Sequence, residues 1–264
     1  MQSTWQDRKT RDGIHTFVRN RYFYGKLLDV FHFELEQDYL NGKRWLLNRL
    51  VTGYGVLCGL DVQPAQKGRA VVVTPGVALD RGGREIIVPR TSDPIDVPPR
   101  PPQQQQQRAE SGKYPAGHCE PEDYVHLCVS FQQCEGDPAP VLVDDCGQAT
   151  SCSASSIQER YKFVIRECKA PDIDLNNGVP DFLLNGRLNY YALVERVTRA
   201  CPELPSDLCV PLANIRLPEA DDDPLQTSDI DISPRPIVYS NDLLFDMIIA
   251  LAGEAPARHR GGKK

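Results

Sequence analysis

The sequence predicts a mainly β protein with a few helices, an α+β chain of two antiparallel β-rich halves. Three observations lead there. Residues 51–90 hold short apolar runs, such as Val71-Val72-Val73 and Ile86-Ile87-Val88, cut by glycine and proline turns. The chain of 264 residues carries 19 glycines and 22 prolines, which suits a loop-rich β protein. Clear helical signals are confined to two stretches, an amphipathic one at 30–51 and a short one at 241–252.

Residues 1–13 are polar. Residues 14–28 are rich in aromatics and lead to Asp29, whose carboxylate can accept from the open N–H groups of a first helical turn. Leu35, Tyr39, Gly42, Leu46 and Leu50 recur at three- and four-residue steps, so the helix at 30–51 is expected to present one core face. Gly42 on that face would allow a close approach, and Gly53 would stop the helix. Several short strands are expected across 56–97. Gly55 and Gly59 are expected to hold backbone shapes that a side chain disfavours. Thr74-Pro75-Gly76 and Asp80-Arg81-Gly82-Gly83 are turn sequences.

Proline density from Asp93 to Pro102, then five glutamines at 103–107, marks a linker or surface loop. The expected division is therefore 1–97, an N-terminal helix plus β domain; 98–118, the linker; and 119–264, a second β-rich half. In that half, strands are expected at 124–131, 157–165 and 209–217. Ile157, Tyr161, Phe163 and Ile165 share one face, broken only by Glu159. Residues 187–199 fit helix or strand. Ser240-Asn241-Asp242 caps the last helix, which is apolar nearly all round and so is expected to be buried or docked on a partner.

A net charge of −6 and a pI near 5.4 argue against nucleic-acid binding, which needs a basic surface. The basic run at 258–264 reads as a solvated tail. The first fifteen residues lack the apolar core of a secretory signal. Leu243 to Ala252 is too short to span a bilayer and contains Asp246. The expectation is cytoplasmic synthesis with no membrane insertion.

Nine cysteines invite a site. Cys134, Cys146, Cys152 and Cys168 bracket the loop expected between the 124–131 and 157–165 strands. Four thiolates there could hold a structural zinc, but no C-x-x-C pair occurs. Disulfides or plain thiols fit the spacing equally, with Cys58 and Cys128 as core residues. His118 and His126 could join a metal site, yet there is no H-E-x-x-H motif. Asp221-Asp222-Asp223 lacks the pattern of a calcium loop. Gly83-Arg84-Glu85 reads as a surface ion pair. No catalytic constellation can be argued from spacing, so no catalytic or cofactor-binding residue is assigned.

Several segments resemble an uncharacterised bacterial family. They are Arg21-Tyr22-Phe23-Tyr24-Gly25-Lys26-Leu27-Leu28, Glu36-Gln37-Asp38-Tyr39, Lys43-Arg44-Trp45-Leu46-Leu47-Asn48-Arg49-Leu50, Gly53 to Val62, Pro75 to Asp80 and Gly83 to Pro89. The likeness is looser at 124–168 and 209–217. The members are similar to accessory components encoded with contractile, phage-tail-like injection systems. The resemblance implies a non-enzymatic structural or adaptor subunit at the baseplate, a fibre attachment or a terminus. Its partners would be other particle proteins and copies of itself in a symmetric assembly. The rivals are a surface-displayed β module binding a glycan or small ligand, and a cysteine-ligated metal enzyme.

Overall fold

The computed structural model describes residues 15–66, 68–100, 123–140, 152–173, 183–184, 187–218 and 223–252. Helix α1 (Val30–Leu47) runs into a π-helical turn at Asn48–Thr52, and Gly53 ends it with φ 84°. Asp29 caps its start by accepting the His32 N–H at 3.3 Å. The His32 imidazole closes on the same carboxylate and holds it below the usual carboxylate range.

Six short strands follow: β1 (Gly55–Gly59), β2 (Val62–Pro64), β3 (Ala70–Val73), β4 (Gly76–Leu79), β5 (Glu85–Val88) and β6 (Ile95–Asp96). They form two antiparallel sheets ordered β1-β4-β5 and β2-β3-β6. Gly55 and Gly59 bound β1 with φ 133° and 64°. A Cβ on Gly59 would meet the Pro75 carbonyl oxygen at 2.0 Å, so only glycine lets β1 turn past the start of β4.

The second half is built on two long strands, β7 (Tyr124–Pro140) and β8 (Cys152–Glu167). A hairpin of β9 (Leu183–Leu184) and β10 (Arg187–Leu188) precedes α2 (Tyr190–Thr198), so the ambiguous 187–199 stretch is mostly helix. Strands β11 (Val210–Arg216) and β12 (Ile230–Asp231) complete a sheet ordered β12-β11-β7-β8. Helix α3 (Asn241–Ala252) closes the described chain, with Ser240 Oγ accepting the Leu243 N–H at 3.2 Å.

Strands β7 and β8 are longer than expected. They stay in register from Val125–Glu167 out to Pro140–Cys152, so much of the expected loop is a two-stranded ribbon. Strand β11 pairs with β7 only from Tyr124 to Val129. Beyond the Phe131–Tyr161 pair no buried residue of the core cluster lies on the ribbon, and its residues do not alternate in polarity. Ile157 is accordingly exposed, whereas Tyr161, Phe163 and Ile165 pack on the core.

That core is one continuous cluster. It joins Leu60, Val71 and Ile86 of the first half to Leu127, Leu212 and Ile215 of the second, all fully buried. Burial of such a side chain contributes about 1.5–3 kcal/mol. Val56 also bridges Ile237 in parallel, tying β1 to the approach to α3. Most of the expected linker lies outside the described residues; the chain on either side of it shares this core.

Candidate functional site

Helix α1 stands on the β4–β5 turn, and that turn is rigid. The Asp80 carboxylate is fully buried there. It accepts the Gly82 N–H at 2.8 Å, the Arg84 N–H at 2.9 Å and the Arg84 Nε at 2.7 Å. Arg84 lies over the Phe131 ring at 4.7 Å, linking the turn to β7. The turn then receives the end of the helix. Asn48 Nδ2 donates to the Gly83 carbonyl and to Glu85 Oε1, both at 2.9 Å, and Arg44 pairs with Glu85 at 3.1 Å. Gly83-Arg84-Glu85 is thus a mount for α1. Arg84 pairs with a buried acid and Glu85 with the helix.

The rest of α1 is barely covered. Of the expected core face, Leu35 is buried, Tyr39, Gly42 and Leu46 are half-buried, and Leu50 is exposed. The face is covered in part by the helix's own lead-in. Phe17 sits over Gly42, where a Cβ would come within 2.5 Å of its ring, and meets Tyr39 edge-on at 6.4 Å. Tyr22 donates its hydroxyl to Glu36, which raises the phenol above its ordinary range. Tyr24, Leu27, Val30, Phe31, Phe33 and Leu40 are left exposed. Leu35 is the single buried residue of the 18 in α1.

Helix α3 forms a second apolar surface. Leu244, Phe245, Met247 and Ile248 are exposed, with Asp242 and Asp246 beside them. This helix is not enclosed by the β half.

The cysteines are spread out. Cys134 lies on β7 opposite Gln158 as a free thiol. Cys152 begins β8, and Cys168 follows its far end. At about 3.3 Å per residue that strand separates the two by roughly 50 Å, whereas zinc–sulfur bonds are about 2.3 Å. One zinc therefore cannot take all four expected ligands. Cys146 lies outside the described residues. Cys168 is disulfide-bonded. Cys128 is a core residue, as expected, but is disulfide-bonded to Cys209 with Cα atoms 5.9 Å apart. Cys58 is exposed because a bulge in β1 between Val56 and Cys58 turns it outward.

His126 is buried, with Nδ1 at 2.8 Å from the Cys168 carbonyl, and its neighbour Asn214 accepts the Ala170 N–H at 2.8 Å. Both hold the chain leaving β8. His118, Asp221 and Asp222 lie outside the described residues. Among the described residues, no group of three His, Cys, Asp or Glu side chains is placed to hold a metal, and no helix is long and apolar enough to cross a membrane.

No family model and no curated protein matches the chain. Among solved structures, a crystal structure of TssK is similar over 94% of this chain, with 12% identity and a TM-score of 0.40. The chain spans about half of that structure's length, 51%. A likeness of that degree assigns neither fold nor role.

Sequence reasoning missed the exposure of α1. Its periodicity signalled an apolar face without showing what would cover it. The buried Asp80 was also missed, although Asp80-Arg81-Gly82-Gly83-Arg84 places a carboxylate where a tight turn presents several N–H donors.

Proposed function

We propose that this chain is a non-enzymatic structural or adaptor subunit of a contractile, phage-tail-like injection particle, at its baseplate, a fibre attachment or a terminus. The supporting observation is α1 with its lead-in, an apolar surface held firmly at one end and left open along its length. Monomeric proteins seldom display contiguous apolar surface on this scale without a partner to cover it. Each large apolar side chain covered by a partner would contribute about 1.5–3 kcal/mol before the costs of association. Fixing the helix to the β4–β5 turn reduces the ordering cost of docking. The segment 21–28, one of those resembling phage-tail-like accessory components, contributes exposed Tyr22, Phe23, Tyr24 and Leu27 to this surface.

The test is affinity isolation of the tagged full-length chain from cells that make the particle. Tail-like particle proteins should co-purify with the wild type and be lost with Leu27→Asp/Phe33→Asp, a variant altered only at exposed positions. A wild-type chain recovered without any particle protein would overturn the proposal.

A further inference from the structure

We infer that α3 of one copy docks on the lead-in segment 15–28 of a second copy. This deepens the assembly reading, on which it rests, by naming one partner and both surfaces. Charge complementarity supports the pairing. Helix α3 carries Asp242 and Asp246 and no basic residue within Asn241–Ala252. Segment 15–28 carries Arg19, Arg21 and Lys26 and no acidic residue. Asp242 and Asp246 are one turn apart, so they share a face. Both surfaces are also apolar: Leu244, Phe245 and Ile248 are exposed on α3, and Tyr22, Phe23 and Tyr24 on the segment. Aromatic and arginine side chains are the residues that most often dominate interface energetics.

Among the described residues neither surface is covered, so α3 does not lie over its own lead-in and the charge match is open to a second copy. Size is compatible as well. Twelve helical residues span about 18 Å, and the α1 platform behind the segment spans about 27 Å. The Val56 N–H donates to the Pro236 carbonyl at 2.8 Å and the Val238 N–H to the Val56 carbonyl at 3.0 Å, which fixes the root of α3 beside β1, while α1 enters β1 directly. The contact joins unlike surfaces, so it either repeats reciprocally in a two-fold dimer or propagates head to tail as a ring or filament.

The test is the mass in solution of the full chain, by light scattering and sedimentation. The wild type should self-associate with concentration and dissociate as salt rises. Phe245→Asp/Ile248→Asp removes the α3 surface, and Arg19→Glu/Arg21→Glu removes the segment's charge. Circular dichroism should show both variants folded, since all four positions lie at the surface. Each variant alone should associate at least tenfold more weakly. Mixed, they should form a 1:1 dimer and nothing larger, because each retains one complementary surface. Arg19→Glu/Arg21→Glu combined with Asp242→Lys/Asp246→Lys in one chain should restore self-association. A wild type that stays monomeric at every concentration, undiminished association of the α3 variant, or a mixture that fails to dimerise would each overturn the inference. Particle proteins that co-purify with a monomeric wild type would do so while leaving the assembly reading intact. Self-association without any particle protein would uphold this contact and overturn the particle reading.

Discussion

A Cβ placed on Gly83 would stand 2.0 Å from the carbonyl oxygen of Trp45. Gly83 also has φ 86°, so both space and backbone shape select glycine where α1 meets the β4–β5 turn. Gly83→Ala is expected to lower stability by about 1–3 kcal/mol, the scale of left-handed strain in a non-glycine residue. Urea unfolding measures the loss, and hydrogen exchange should show faster opening of 44–52. Unchanged exchange there would mean that α1 is not mounted on this turn.

The Asp80–Arg84 pair joins that turn to β7 through Phe131. Asp80→Ala removes an acceptor for three donors and strands Arg84. A loss of about 3–5 kcal/mol is expected, the range for breaking one side of a buried ion pair. Denaturant titration checks it, and a loss below about 1 kcal/mol, the level of a surface pair, would contradict the burial.

The cysteine placements predict distinct chemistries. Peptide mapping without reductant should recover Cys128 linked to Cys209, while Cys134 in the folded protein should react with an alkylating reagent. Replacing Cys128 and Cys209 by serine should cost about 2–4 kcal/mol. Stoichiometric zinc released by Cys134→Ser would show that these placements are wrong.

Arg166 holds the Asp207 carboxyl below the usual carboxylate range through a hydrogen bond, and the Cys209 N–H adds to it. A depressed folded pKa gives stability that is present above the unfolded value of about 3.9 and is lost as pH falls through the folded value. The pair is exposed, so the effect should stay under about 1 kcal/mol. Wild type should exceed Asp207→Asn in stability near neutral pH, and the gap should close in strong acid. A gap that widened on acidification would reverse the sign and remove the pair from the account.

Much of the fold was legible because local chemistry and tertiary packing agree. Asp29 caps α1, Gly53 ends its turn, and the alternation of Tyr161, Phe163 and Ile165 marks the part of β8 over the core. Legibility failed where partners decide structure. The outer ribbon follows cross-strand pairing between polar residues, such as Gln132 with Arg160 and Gln133 with Glu159, which carry no periodic signal. The sites were less legible still. Sequence spacing grouped Cys134, Cys152 and Cys168, but an extended strand turns a short interval in sequence into a long distance in space. Phe31 and Phe33 are exposed because no described segment covers them, and helical periodicity does not encode what covers a face.

The bridge between Val56 and Ile237 also bears on how the chain is made. Its two sides are separated by about 180 residues. Translation at about 5–20 residues per second places roughly 10–35 s between them. Throughout that interval β1 has β4 on one side but lacks the 236–238 segment on the other, and for most of it the core also lacks β11. Contacts this distant in sequence form slowly because loop closure precedes their reward. The nascent N-terminal half therefore meets the cell with its core partly open, and a chaperone able to shield Val56 and Leu60 should raise the yield of folded chain.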